Sequence, residues 1–294
     1  WARGAARGNF DDSDWRAVDL PHDWSVEGEF SPSNYLDNAF LPRGVGWYRR
    51  YFTLDPLTDS RRAVWLQFDG VASHCTVYVN GHLLHRQFDG YTSFTVDVGD
   101  VARFGEDEPN VVAVRVDATP IEGWWYEGAG IYRHVWLCKS GPVRFEPYGV
   151  AVRTTPTGGD RWRTTVEATA CNDTDAPTEA VLTVRLTDPT GGEVARASAP
   201  VAVVGRASEV AAVEVAVDRP ALWSVDSPAL YRAEVELSVA GRPTDVERIA
   251  YGYRTVAFDA NRGFLLNNRP VRLLGTCNHQ DHAGVGVAVP DSIH

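Results

Sequence analysis

The sequence runs to 294 residues with a formal net charge of −11, enough chain for two or three domains that each bury a core. Hydrophobic residues make up 44% of it, with 10 Trp, 11 Tyr and 11 Phe, which excludes general disorder. The acidic balance speaks against a nucleic-acid partner, whose phosphates need a cationic face, and no apolar run approaches the ~20 residues of a membrane span.

The chain opens on Trp1 and contains no Met. It is therefore read as an excerpt, and the sequence leaves its compartment open. Cys75, Cys138, Cys171 and Cys277 are scattered without a Cys-x-x-Cys spacing. Buried free thiols are expected, in preference to disulfides or a metal centre.

From Asn9 to Trp24 turn formers and aromatics alternate without a helical period, so an ordered loop with a short edge strand is expected. Gly46 to Phe52 is a strand of β-favouring aromatics, ended by Asp55-Pro56. Ala63 to Phe68 is another, closed by Asp69-Gly70. Thr76 to Asn80 runs into Asn80-Gly81, the strongest short hairpin signal, and the partner strand carries Leu83 and Leu84. Phe94–Val98 and Val111–Asp117 alternate, and Tyr132–Cys138 completes the set. Short strands with turn punctuation and no helix give a β-sandwich of jelly-roll type over 1–140.

After Ser140-Gly-Pro142 the aromatics thin out, and Val, Ala and Thr dominate. Strands are expected at Val150–Thr154, Arg163–Thr169, Ala180–Leu186, Val210–Val217 and Leu230–Val239. Turns fall at Asn172-Asp173, Asp188-Pro189, Gly191-Gly192 and Gly241. About seven short strands in 141–257 fit an immunoglobulin-like sandwich without the paired Cys and buried Trp of antibody domains. From 258 onward a third segment begins. Phe264–Leu266, an Asn-Asn turn and Val271–Leu274 read as two further strands. The polar run Asn278, His279, Gln280, Asp281, His282 then follows a strand's carboxyl end, where an α/β barrel keeps its chemistry.

Between Asp117 and Trp136, the run Glu122-Gly-Trp-Trp-Tyr-Glu-Gly-Ala-Gly-Ile-Tyr-Arg133 stands out. Trp124, Trp125 and Tyr126 cannot all point into one core, because successive strand side chains alternate. An exposed Trp ring offers a flat apolar face to a sugar ring. The competing reading is that these rings fill a domain interface. Glu122 and Glu127 are taken as solvated charges on sandwich loops.

Asp19-Leu-Pro-His-Asp-Trp24, Gly46-Trp-Tyr-Arg49, Val77-Tyr-Val-Asn-Gly81 and Gly128-Ala-Gly-Ile-Tyr-Arg-His-Val-Trp136 together resemble the sugar-binding sandwich of the family-2 glycoside hydrolases. Tyr251-Gly-Tyr-Arg254 with Phe258-Asp259 and Gly263-Phe264 resembles that family's passage from its immunoglobulin-like domain into a (β/α)₈ barrel. Gly275–Asp281 is similar to its first barrel strand, and the nearest subgroup is the β-galactosidases. The resemblance implies a mainly β chain: a jelly-roll-like sandwich, an immunoglobulin-like sandwich and the first strand of a truncated barrel. It also implies a retaining double displacement by two Glu carboxyls ~5–5.5 Å apart. Both are expected beyond residue 294, since no Glu follows Glu247, so the fragment alone is expected to be inactive.

What carries over is substrate binding. His279 matches the family His that holds the sugar, and Asp281 matches a position that contacts a sugar hydroxyl. His282 is their neighbour, and the Trp124–Glu127 loop, with Trp124 and Trp125, is the sandwich's candidate contribution. Gln280 and Asn278 depart from the usual acidic and basic residues, which leaves the sugar preference open. The resemblance implies no redox cofactor, and a Mg²⁺ or Na⁺ ion, bound in some relatives, would draw its ligands from later barrel residues. A homo-oligomeric parent is left open. Four other readings stand beside this one. His279, Asp281 and His282 supply three donors for a metal. The segment can be a polar loop capping a strand. The chain can also be a non-catalytic carbohydrate-binding module of two sandwiches, or come from a β-glucuronidase.

Overall fold

Alternation of more and less buried side chains runs through strands such as Ala63–Phe68 and Tyr231–Val239 of the computed structural model, which describes residues 4–60, 62–120, 123 and 125–294. The chain is all-β. Its ordered elements are strands and two 3₁₀ turns, Leu36–Asn38 and Gly99–Val101, with no α-helix among the described residues. It divides into two compact units, one of Trp1–Lys139 with Cys277–His294 and the other of Ser140–Thr276.

The first unit is a jelly-roll-like sandwich. Its strands are β1 (Val45–Phe52), β2 (Ala63–Phe68), β3 (His74–Val79), β4 (His82–Gln87), β5 (Phe94–Asp97), β6 (Asn110–Asp117) and β7 (Val135–Ser140). They form a four-stranded sheet β1-β6-β3-β4 and a three-stranded sheet β5-β2-β7. In β2 the side chains Val64, Leu66 and Phe68 are buried while their neighbours are half-exposed, and Cys75, Val77 and Val79 do the same in β3. These two inward rows meet Val112, Val114 and Val116 of β6 in one core. The hairpin closes as its dipeptide dictates: Asn80 at φ 52° and Gly81 at φ 87° form the turn, and Val79 faces His82.

The second unit is an immunoglobulin-like sandwich of β8 (Val143–Gly158), β9 (Arg161–Asn172), β10 (Thr178–Thr187), β11 (Glu193–Val203), β12 (Ala207–Asp218), β13 (Tyr231–Val239) and β14 (Arg242–Tyr251). Sheet β11-β10-β13-β14 lies with sheet β12-β9-β8 around a core of Leu182, Val184, Leu186, Val235 and Leu237. At one end of that core Trp162, Tyr231, Tyr251 and Tyr253 stack edge to face. The hydroxyl of fully buried Tyr253 shares a 2.7 Å hydrogen bond with Thr164. Strands β11 and β14 are not expected from the sequence. Pro200 breaks the reading of β11, yet β11 is an edge strand, the place in a sheet where proline is tolerated because every second N–H faces away from the neighbouring strand.

A three-stranded meander follows: β15 (Val256–Asp259), β16 (Gly263–Leu266) and β17 (Arg269–Pro270). Asn267 and Asn268, at φ 50° and 63°, make its last turn. The expected strand at Val271–Leu274 is not present. The Val271 amide donates to the Phe264 carbonyl at 3.0 Å, but residues 271–280 have no regular secondary structure, and Leu273 and Leu274 are exposed. A strand is defined by its ladder, and no described segment pairs with this one. Nor does a strand form between Asn9 and Trp24, although His22 and Trp24 donate to the carbonyls of Ile131 and Ala129. The expected third segment is shared: its residues to Thr276 group with the second unit, and Cys277–His294 with the first.

The four cysteines are free thiols. Cys75 and Cys171 are buried, and burial pushes the Cys75 thiol up to about 12. Cys277, expected buried, is exposed, and Cys138 is half-buried. No helix among the described residues is long and apolar enough to cross a membrane.

Candidate functional site

Within the first unit three stretches distant in sequence meet around one carboxylate. Asp23, in the Leu-Pro-His-Asp-Trp loop, is 2% exposed. Its Oδ1 accepts from the Ser25 amide at 3.0 Å and the Ala129 amide at 2.9 Å. Its Oδ2 accepts from the Tyr126 hydroxyl at 2.6 Å and the Val287 amide at 3.1 Å. A carboxylate has about four lone-pair directions, so these four donors fill it.

Glycines make this approach feasible. A Cβ on Gly128 would lie 2.5 Å from Asp23 Oδ2, and one on Gly286 would lie 2.1 Å from it. Gly130, at φ 136°, is hemmed in by the Tyr48 hydroxyl and the His22 carbonyl. It also pairs with Ala72 through two backbone hydrogen bonds. Burial first, and then the Asp23 charge, push the Tyr126 phenol well above the ordinary tyrosine range, and the charge of Asp281 adds to this. Tyr126 therefore stays a proton donor.

The segment brought in by Val287 carries the predicted polar cluster. A tight turn closes it, with the His282 and Gly286 amides each donating to the other's carbonyl at 2.9 Å. Two residues back, the Asp281 amide donates to the His279 carbonyl at 3.0 Å. The His279 imidazole meets the Trp125 ring edge-on, centroids 4.6 Å apart. Trp125 is 43% exposed, and His279, Asp281 and His282 all face solvent. The structure thus brings Trp125 and His279 together, with Asp281 close to Tyr126. It turns His282 aside, where its Nδ1 contacts the Ala283 carbonyl at 3.2 Å. Trp124 and Glu122 lie outside the described residues.

This surface offers an apolar ring face, an imidazole that donates or accepts, and a carboxylate that accepts from two neighbouring hydroxyls. Among the described residues it brings only one carboxylate, Asp281, to this surface. Among the described residues no group of three or more His, Cys, Asp or Glu is arranged to hold a metal ion, so His279, Asp281 and His282 do not converge as ligands.

Glu127 differs from the sequence expectation. It is buried and pairs with Arg43 at 2.8 Å, the two side chains 6% and 5% exposed. Arg43 Nε donates as well to the Ala118 carbonyl at 2.7 Å. In the same unit, His22 Nδ1 and the Tyr48 hydroxyl are 2.7 Å apart, and His22 Nε2 reaches Glu27 at 3.2 Å. Arg16, hydrogen-bonded to Glu27, is the main cause holding the Glu27 carboxyl below its usual range. Asp23 is the organising residue that sequence reasoning missed. Its motif was visible, but three of its four partners lie about one hundred and more than two hundred and sixty positions away.

Comparison with known proteins places these features in a family. Residues 18–156 match the family model described as glycosyl hydrolase 2 galactose-binding domain-like, and residues 148–254 match that of glycosyl hydrolases family 2. A beta-galactosidase of Bacteroides ovatus is 36% identical over 97% of this chain and 34% of its own length. A putative beta-glucuronidase of Formosa agariphila is 31% identical over 95% of this chain and 26% of its own. The crystal structure of a family-2 member from Bacteroides cellulosilyticus superposes with a TM-score of 0.91 and 32% identity, over 98% of this chain and 38% of that one. The chain thus spans about a third of the length of these relatives. Two family models in succession, and a solved family member that superposes along nearly all of the chain, lead to one conclusion: the chain belongs to family 2 of the glycosyl hydrolases.

Proposed function

We propose that the chain forms the front part of a retaining glycoside hydrolase that cleaves terminal β-galactosides. In this reading residues 1–140 are a sugar-binding-type sandwich, 141–257 an immunoglobulin-like domain, and the chain from 258 opens a (β/α)₈ barrel. The observation that carries the reading is the solvent-facing group of Trp125, His279 and Asp281. The ring contact of Trp125 and His279 at 4.6 Å gives a sugar an apolar platform flanked by hydrogen-bonding groups. Exposed Leu273 and Leu274 support the barrel, since further strands would cover them.

His279 and Asp281 bind the glycone in this proposal, His282 lines the rim, and Trp124 and Trp125 form the apolar wall. The chemistry, protonation of the leaving oxygen by one Glu and attack on the anomeric carbon by another, belongs to residues beyond 294. A β-glucuronidase is the second reading, favoured by relatives of that name; a galactoside is preferred because the relative at 36% identity is named a beta-galactosidase. In the protein extended along its reading frame past His294, Asp281→Ala is expected to lower kcat/KM for nitrophenyl β-galactoside by on the order of 10–100-fold. That is the worth of one or two hydrogen bonds to a charged group. Wild-type turnover in that variant contradicts the assignment.

A further inference from the structure

We propose that Asp23 is a positioning residue, a clamp through which the sandwich fixes the 279–287 loop and so sets His279 and Asp281 beside Trp125. What the loop is for rests on the function proposed above; the clamp itself rests on geometry alone.

The two oxygens of Asp23 divide the work. Oδ1 takes the amides of Ser25 and Ala129, both of the sandwich loops. Oδ2 takes the Tyr126 hydroxyl, one residue from Trp125, and the Val287 amide, which belongs to the loop. One group therefore ties both sides of the Trp125–His279 contact to the same point. From Val287 the constraint passes back through the closed His282–Gly286 turn to Asp281 and His279, a span too short to absorb much freedom. Bare backbone at Gly128 and Gly286 is what lets Oδ2 come this close.

All four partners are neutral donors. A carboxylate accepts from each of them, whereas a carboxamide of the same shape has one oxygen and would turn its NH₂ toward two of them. Asp23→Asn therefore keeps volume and breaks the clamp. Tyr126→Phe removes one donor and leaves the Val287 bond.

Amide hydrogen exchange of the 294-residue chain tests this without reference to sugar chemistry. In Asp23→Asn, residues 279–288 are expected to exchange ~10-fold faster or more, with β3 and β6 at wild-type rates. In Tyr126→Phe the same segment is expected to loosen by ~3-fold. Unchanged exchange at 279–288 in Asp23→Asn overturns the proposal. So does an equal loss of protection in β3 and β6, which would make Asp23 a general prop of the sandwich. If Asp23→Asn does not fold, Tyr126→Phe decides alone: faster exchange confined to 279–288 supports the clamp, and wild-type exchange overturns it. In the extended enzyme Tyr126→Phe is expected to raise KM for nitrophenyl β-galactoside several-fold with kcat within about twofold. A wild-type extended protein without glycosidase activity would sink the functional reading and leave the exchange result to judge the clamp.

Discussion

Gly130 shows how tightly single positions are determined around the site. Its φ of 136° is open to glycine and strained for other residues, and an added Cβ would sit 2.4 Å from the Tyr48 hydroxyl and 2.5 Å from the His22 carbonyl. Gly130→Ala is expected to cost ~3 kcal/mol or more in urea denaturation, combining backbone strain with overpacking. Gly8→Ala, with open space around it, is expected to change stability by less than ~0.5 kcal/mol. A neutral Gly130→Ala would contradict the close approach of the two loops. The glycines of this run are legible in the sequence as backbone turns. Asp23 is not, because nothing local distinguishes a carboxylate bound by remote amides from one solvated on a loop. Glu127 misleads for the same reason: its burial depends on Arg43, more than eighty positions earlier.

Among the elements, the strands were the most legible, since inward rows such as Val64-Leu66-Phe68 announce themselves by period two. The hairpin at Asn80-Gly81 was fixed by the two left-handed residues its turn requires. Edge strand β11 was lost to its Ala content and Pro200, and the reading of Val271–Leu274 as a strand failed because hydrophobicity alone does not provide a ladder partner. The end of β7 is held electrostatically. Lys139 Nζ lies 2.6 Å from Asp59, whose side chain is 5% exposed. Burial would raise the Asp59 carboxyl, but the Lys139 hydrogen bond, the Asp55 amide and the Lys139 charge outweigh it and hold it below its ordinary value of 3.8. A carboxyl lowered in the folded state stabilises fully above the unfolded value, and that stability is lost as pH falls through the lowered value. The first unit is therefore expected to weaken on acidification from about pH 4 downward, and Asp59→Asn to flatten part of that slope. Parallel slopes for wild type and variant in pH-dependent thermal melts would count against the pair.

At the scale of the molecule, each unit closes a core of its own: one around Phe68, Val77 and Val114, the other around Leu182, Val235 and Leu237. Outside both cores, Phe258, Leu273 and Leu274 stand 79%, 67% and 81% exposed, apolar surface that the barrel of the proposed function would cover. Family membership could be read from the order and spacing of ordinary motifs, none of them telling alone. The sugar could not, because Gln280 and Asn278 depart from the pattern. The most direct measurement assays the 294-residue chain and the product extended past His294 side by side, on nitrophenyl β-galactoside and nitrophenyl β-glucuronide. Turnover by the longer protein alone, with galactoside preferred, is the expected result. A short chain that cleaves either glycoside, or a longer one that cleaves neither, would contradict the proposal that this chain builds one wall of a sugar site whose catalytic carboxyls come from beyond it.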